Sequence, residues 1–121
     1  MELWYASRTG KVERIVSKLG FRDVHKILSG EEKASDEYVL FTYTDGYGEI
    51  PLIVDSFLSR NFHLLRGVAG SGNRNFGRNF CRSVELIHER YKVPILMKFD
   101  LGGNEESIEE LRNILINLSL R

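Results

Sequence analysis

The run Tyr38-Val39-Leu40-Phe41-Thr42-Tyr43 is apolar, aromatic or β-branched at every position rather than at alternate ones. A strand of that pattern is buried on both faces, which demands helices above and below it and favours a parallel sheet. The rest of the chain reads accordingly. Leu3 to Ala6 is a short apolar run closed by Ser7-Arg8-Thr9-Gly10, after which Val12, Ile15, Val16 and Leu19 recur at helical spacing up to Gly20. Asp23 to Leu28 reads as a second strand, at an edge because His25 and Lys26 interrupt it. Pro51 suits the first turn of a helix whose inward face is Val54, Phe57 and Leu58. Leu64 to Ala69 is the next buried strand. A helix is expected from Arg78, with Phe80, Val84, Ile87 and Tyr91 inward, and Pro94 to Phe99 gives a fifth strand. Leu101-Gly102-Gly103-Asn104 then leads into a last helix, with Asn104 as its cap, Glu105 and Glu106 on its positive end, and Ile108, Leu111, Leu115 and Leu118 facing the core.

Five strands alternating with helices predict an α/β fold with a parallel sheet and right-handed crossovers. One crossover is anomalous, since Ser29 to Glu37 is barely long enough for a helical turn, so the helix between strands two and three is expected to be short or missing. Ligands of such sheets collect at the carboxyl ends of the strands.

At 121 residues the chain fits one domain, residues 1–121. Its 17 basic and 17 acidic residues cancel, which removes any global electrostatic case for nucleic acid or an anionic membrane. A single cysteine, Cys81, excludes an internal disulfide, and it is read as inert packing within a helix. No apolar run approaches the roughly 18 to 20 residues of a membrane span, and the first residues lack a signal-peptide pattern. A cytoplasmic location is expected. His25, His63 and His88 show no ligand spacing with one another or with Cys81, so no metal site is expected.

Three loops, after strands one, three and four, converge on one sheet edge, with Gly102-Gly103 nearby. Ser7-Arg8-Thr9-Gly10-Lys11-Val12 offers two hydroxyls and several backbone N–H groups at a helix N-terminus, a setting that suits phosphate or, more simply, a capped helix. It is neither a Walker loop nor a dinucleotide fingerprint. Thr44-Asp45-Gly46-Tyr47-Gly48 and Gly70-Ser71-Gly72-Asn73-Arg74-Asn75-Phe76-Gly77 surround an aromatic ring with glycines, so Tyr47 and Phe76 can present ring faces to a planar ligand or simply pack. Trp4 and Tyr43, on central strands, read as core. The spacing Gly70-Ser71-Gly72 is not a nucleophile elbow. Arg74, Arg78 and Arg82 fall at i, i+4 and i+8, either as an outward stripe that docks an acidic partner or as a solvated face neutralised by Glu85 and Glu89. The string Arg74 to Phe80 has the look of an aromatic RNA-binding strand, but it leads into a helix of a neutral protein and is discounted.

Together these loops resemble the NrdI family, flavodoxin-like proteins that serve class Ib ribonucleotide reductase. The resemblance is carried by Ser7-Arg8-Thr9-Gly10 with Val12, by Thr42-Tyr43-Thr44-Asp45-Gly46-Tyr47-Gly48 with Pro51, by Ala69 to Gly77, and by Val93-Pro94 leading to Phe99. It implies a flavodoxin-like three-layer sandwich of strand order 2-1-3-4-5 holding one FMN. The phosphate would lie on Ser7, Thr9, Gly10 and Lys11, with Arg8 and Val12 adjoining, and the ring between the Thr42–Gly48 loop and Ser71, Gly72, Asn73, Asn75, Phe76 and Gly77, with Gly102 and Gly103 close by. The flavin carries the chemistry, so no catalytic side chain is implied; the Gly46-Tyr47 peptide would tune its potential. The resemblance also implies an electron-donating reductase, reaction with dioxygen, and delivery of the oxidant to the dimetal small subunit of the reductase, where a dimanganese tyrosyl-radical cofactor is assembled. Lys11 stands where Asn is frequent, and Asp45 sets an acid beside the flavin loop. A general flavodoxin-type electron carrier is the alternative, although such carriers are strongly acidic and longer; a receiver domain lacks support because Ser7-Arg8 replaces its acidic pair.

Overall fold

The structure is a computed structural model that describes residues 1–121. Its five strands are β1 (Glu2–Tyr5), β2 (Val24–Lys26), β3 (Tyr38–Tyr43), β4 (Leu65–Gly72) and β5 (Ile95–Asp100), and they form one parallel sheet of order β2-β1-β3-β4-β5. Two helices cover each face. Helices α1 (Lys11–Leu19) and α4 (Glu105–Asn117) pack Val12, Ile15, Leu111 and Leu115 against Leu3, Val39, Phe41 and Phe99. On the other face, α2 (Leu52–Asn61) and α3 (Arg82–Tyr91) pack Val54, Phe57, Val84 and Ile87 against Trp4, Tyr38, Leu40 and Val68. Leu3 and Trp4, or Val39 and Leu40, therefore enter opposite cores, which is what a continuous apolar run in a central strand demands.

The expected strand order, the edge position of β2 and the missing helix between β2 and β3 are all present. The bare crossover is held by side chains instead of helical hydrogen bonds. The Glu32 carboxylate accepts the backbone N–H groups of Leu28, Ser29 and Gly30 at 2.7, 3.0 and 2.8 Å. From α2, the buried Asn61 side chain accepts the Ala34 N–H and donates to the Glu32 and Phe57 carbonyls, each at 2.9 Å. The Glu2 carboxylate takes the Ser35 N–H and the Trp4 indole N–H.

Several sequence expectations need correction. Gly70, Ser71 and Gly72 continue β4 rather than opening a loop, because strand pairing with Thr42, Tyr43 and β5 persists to that point. A Cβ on Gly70 would lie 2.2 Å from Val84 Cγ2, and one on Gly72 2.8 Å from the Cys81 nitrogen, so both glycines serve close packing against the start of α3. That helix begins at Arg82, not Arg78. Residues Arg74–Asn79 form a kinked 3₁₀ segment, broken by Gly77 at φ 58°, and Cys81 stands before the helix at φ 50°. Cys81 thus precedes the helix it was assigned to, and Phe80 does too. The last helix stops at Asn117, leaving Leu118 half-buried while Leu120 completes the core. Its predicted cap is present as a reciprocal pair between Asn104 and Ser107.

Candidate functional site

A cavity of about 190 Å³ opens at the carboxyl ends of the central strands, where the loops after β1, β3, β4 and β5 meet. Ser7, Arg8, Thr9, Lys11 and Val12 line one side, Tyr43 and Thr44 a second, Ser71, Gly72, Asn73 and Phe76 a third. Leu101 closes it.

The β1–α1 loop is rich in free donors. Gly10, in the left-handed conformation at φ 89°, starts α1 without a side-chain cap of its own. The Ser7 hydroxyl accepts the Glu13 N–H at 3.3 Å, so the capping reading of that residue holds in part. The backbone N–H groups of Arg8, Thr9, Gly10, Lys11 and Val12 find no acceptor in the protein, nor does the Thr9 hydroxyl form a hydrogen bond. Five successive amides at the positive end of a helix, with the Lys11 cation beside them, are the kind of donor set that suits an anion. The nearby acid Glu13 is already engaged by Tyr5 at 2.9 Å and Lys26 at 2.8 Å. Its hydrogen bond with Lys26, foremost, holds its carboxyl below the ordinary value, while burial and the same carboxylate push the Tyr5 phenol up to about 12.

Across the cavity, Tyr43 is only half-buried, so its ring is a wall of the site as well as part of the core. Burial, and then the Asp45 carboxylate, raise its phenol. Thr44 is fixed from behind, because its hydroxyl shares a 2.8 Å hydrogen bond with the buried Ser83 hydroxyl and accepts the Ser83 N–H. Asp45 closes a tight turn by exchanging backbone hydrogen bonds with Glu49, and Gly46, Tyr47 and Gly48 form its tip, with Gly46 at φ 49° and Gly48 at φ 118°. Asp45 also pairs with Arg8 at 2.7 Å.

The Ser71 hydroxyl donates to the Leu101 carbonyl, and the Leu101 N–H donates to Gly72 at 2.6 Å, which clasps the ends of β4 and β5 together. Asn73 accepts the Asn75 N–H through its side chain and starts the 3₁₀ segment that carries Phe76, a residue 58 % exposed that lines the cavity.

Of the residues singled out in the sequence, Thr42 is wholly buried beneath the site, while Gly10, Asp45, Gly46, Tyr47, Gly48, Asn75, Gly77, Gly102 and Gly103 lie outside the cavity lining. Tyr47, 85 % exposed, reaches into solvent instead of the cavity. Leu101 and the Ser83 anchor escaped the sequence reading. An apolar residue standing between strand five and Gly102-Gly103 was the available signal for Leu101; Ser83 left none.

The arginine stripe does not form, because the kink at Gly77 and the left-handed Cys81 interrupt any continuous helix. Arg74 instead lies over the Phe80 ring and beside Asp100, and Arg82 meets Glu85 and Glu89, as the neutralised-face reading has it. Cys81 is fully buried, and that burial pushes its thiol up to about 12, which makes it a poor nucleophile. Away from the cavity, Glu2, Asp23 and His25 each bring one ligand-capable atom within 4.8 Å of the others, a grouping of histidine with carboxylates that histidine and cysteine spacing alone does not reveal.

A five-stranded 2-1-3-4-5 sheet with a donor-rich loop after its first strand defines a flavodoxin-like α/β protein. Among solved structures, a short-chain flavodoxin associated with a bacterial microcompartment superposes with a TM-score of 0.77 at 23 % identity, covering 98 % of this chain and 95 % of that one. Residues 3–113 match the family model described as NrdI Flavodoxin like. Protein NrdI of Bacillus licheniformis is 47 % identical over 109 residues, 90 % of this chain and 82 % of that protein. The chain belongs to the NrdI flavodoxin-like family. No helix is long and apolar enough to cross a membrane.

Proposed function

We propose that the cavity binds FMN and that the protein serves a class Ib ribonucleotide reductase as its flavin activator. The observation that carries the cofactor assignment is the row of five unpartnered amides from Arg8 to Val12, beside the free Thr9 hydroxyl and the Lys11 cation. A phosphate needs several donors and positive charge to offset its desolvation, and this loop supplies unpartnered donors and the Lys11 cation. Ser7, Thr9, Gly10 and Lys11 hold the phosphate in this reading, with Arg8 and Val12 adjoining. Tyr43, Thr44, Phe76 and Leu101 bound the part of the cavity suited to a flat apolar ring, and Ser71, Gly72 and Asn73 offer polar groups to its edge. Thr42, Asp45, Gly46, Tyr47, Gly48, Asn75, Gly77, Gly102 and Gly103 act from behind or beside that lining. Bound FMN supplies reducing equivalents to dioxygen; the protein's part is to orient the ring, set its electrostatic surroundings and shape a mouth for a partner.

The partner in this reading is the dimetal small subunit of the reductase, whose dimanganese tyrosyl-radical cofactor is assembled with the oxidant so produced, and the electrons come from a separate reductase. Family membership and the absence of strong negative charge support this role over that of a general electron carrier. The protein should show a flavin absorption spectrum or take up FMN in a titration. No flavin spectrum and no binding would end the cofactor assignment. Reduced protein and dioxygen should then generate the tyrosyl radical in a manganese-loaded cognate small subunit; full flavin loading with no radical and no binding to that subunit would return the protein to the electron carriers.

A further inference from the structure

We propose that Arg8 and Asp45 form a latch that ties the anion loop to the Gly46 turn beside the cavity and cancels the acid's charge there. Arg8 Nη1 lies 2.7 Å from Asp45 Oδ1, and the two residues stand 37 positions apart, after β1 and β3. An isolated exposed ion pair of this kind contributes little on its own. Here both partners are held. The Arg8 guanidinium carbon sits 5.4 Å from the centre of the Tyr43 ring, at the end of β3. Asp45 exchanges backbone hydrogen bonds with Glu49 at 2.8 Å in each direction and accepts the Gly48 N–H at 3.1 Å. The same Oδ1 that meets Arg8 also accepts the Gly46 N–H at 3.0 Å.

One carboxylate oxygen therefore joins a cation of the anion loop to the peptide that begins the Gly46 turn. Gly46 lies at φ 49°, a conformation glycine adopts without strain, and the Asp45–Gly46 peptide is anchored from two sides, its N–H by Asp45 Oδ1 and its carbonyl by the Gly48 and Glu49 N–H groups. Arg8 is a positioning residue in this arrangement. The pairing also gives Asp45, an acid beside the cavity, an electrostatic counterpart, so that a ligand which gains negative charge in the cavity meets a neutral pair rather than a lone carboxylate.

The structural part of the proposal stands on the protein alone; its electrostatic part rests on the FMN reading. Arg8→Gln, Asp45→Asn and the double variant test both. Hydrogen exchange followed by NMR on the full chain should show the Gly46 amide exchanging about tenfold faster in each single variant, with no further increase in the double, because either change opens the same latch. In FMN-loaded protein, two-electron, one-proton reduction by dithionite adds one negative charge to the flavin, while dithionite is oxidised to sulfite. Arg8→Gln should disfavour that reduction about tenfold, or about 30 mV for a two-electron couple. Asp45→Asn should shift it the opposite way, and the double variant should return close to the starting potential. Unchanged Gly46 exchange in both single variants, or additive acceleration in the double, overturns the latch; potential shifts of the same sign overturn the charge cancellation. Absence of FMN uptake by the wild-type protein would count against the cofactor reading and the charge cancellation together, and exchange would still decide the latch.

Discussion

The loop from Ser7 to Gly10 and the crossover from Leu28 to Glu37 both lack helical hydrogen bonding, yet they treat their backbone donors in opposite ways. In the crossover, Glu32, Asn61 and Glu2 accept one N–H after another from the segment. From Arg8 into the first turn of α1, five consecutive N–H groups have no acceptor. Side chains take up most donors of the crossover, whereas the loop beside the cavity leaves its own open, and unsatisfied donors are costly unless water or a ligand takes them up. Irregular backbone thus separates into scaffold and site by where its donors go.

The contrast breaks first, and most strongly, at Asn61. Asn61→Ala removes three hydrogen bonds and strands buried partners, so it should destabilise the fold by about 3 kcal/mol in urea unfolding. FMN affinity of the folded protein should be unchanged. An unfolding free energy within about 0.5 kcal/mol of wild type would show that the crossover is held by something other than this side chain.

Thr9→Ala tests the other side. Because its hydroxyl bonds nothing in the protein, stability should barely move, whereas FMN binding should weaken by about 1.5 to 3 kcal/mol, the worth of a charge-assisted hydrogen bond. Riboflavin, which has no phosphate, is the control. Equal losses for both ligands would remove the phosphate from this loop.

A smaller effect is expected at Glu32. Burial acts to raise its carboxyl, but the N–H groups of Leu28, Ser29 and Gly30 outweigh it and leave the folded value below the ordinary one. A depressed folded value stabilises the protein above the unfolded carboxylate value of about 4.3 and loses that contribution as pH falls through the folded value. Unfolding free energy should therefore decline more steeply below that pH in wild type than in Glu32→Gln. Parallel acid profiles would mean that the carboxylate does not hold the crossover. The smallest change is predicted for Arg78→Glu, which should alter stability by no more than about 0.5 kcal/mol, since Arg78 is exposed and no helical stripe joins it to Arg74 or Arg82. A larger loss in thermal unfolding would reveal a role for this side chain that the kinked segment does not explain.

Much of this was legible from residue patterns. The unbroken apolar run of β3, the helical spacing of Val12, Ile15, Val16 and Leu19, and the short Ser29–Glu37 segment led to a doubly covered parallel sheet with one bare crossover, since burial periodicity and loop length are local properties. The region after β4 was misread for an equally physical reason. Glycine reports that a side chain cannot fit, not what excludes it, and Gly70 and Gly72 were excluded by Val84 and Cys81, residues whose approach depends on the packing of α3. Helical spacing of Arg74, Arg78 and Arg82 likewise carried no sign of the turn at Gly77. The Arg8–Asp45 pair and the Thr44–Ser83 anchor join positions 37 and 39 apart, which only the fold brings together.

Leu101 carries a consequence for how such a protein tolerates change. It sits at φ 54°, a region that a branched side chain enters at a cost of roughly 1 to 2 kcal/mol, while two glycines that would enter it freely follow at once. The strained position is the one whose side chain closes the cavity. Stability and shape therefore pull in opposite directions at a single residue, and selection for heat resistance alone should drift toward glycine there, yielding a sturdier protein with a wall missing from its site.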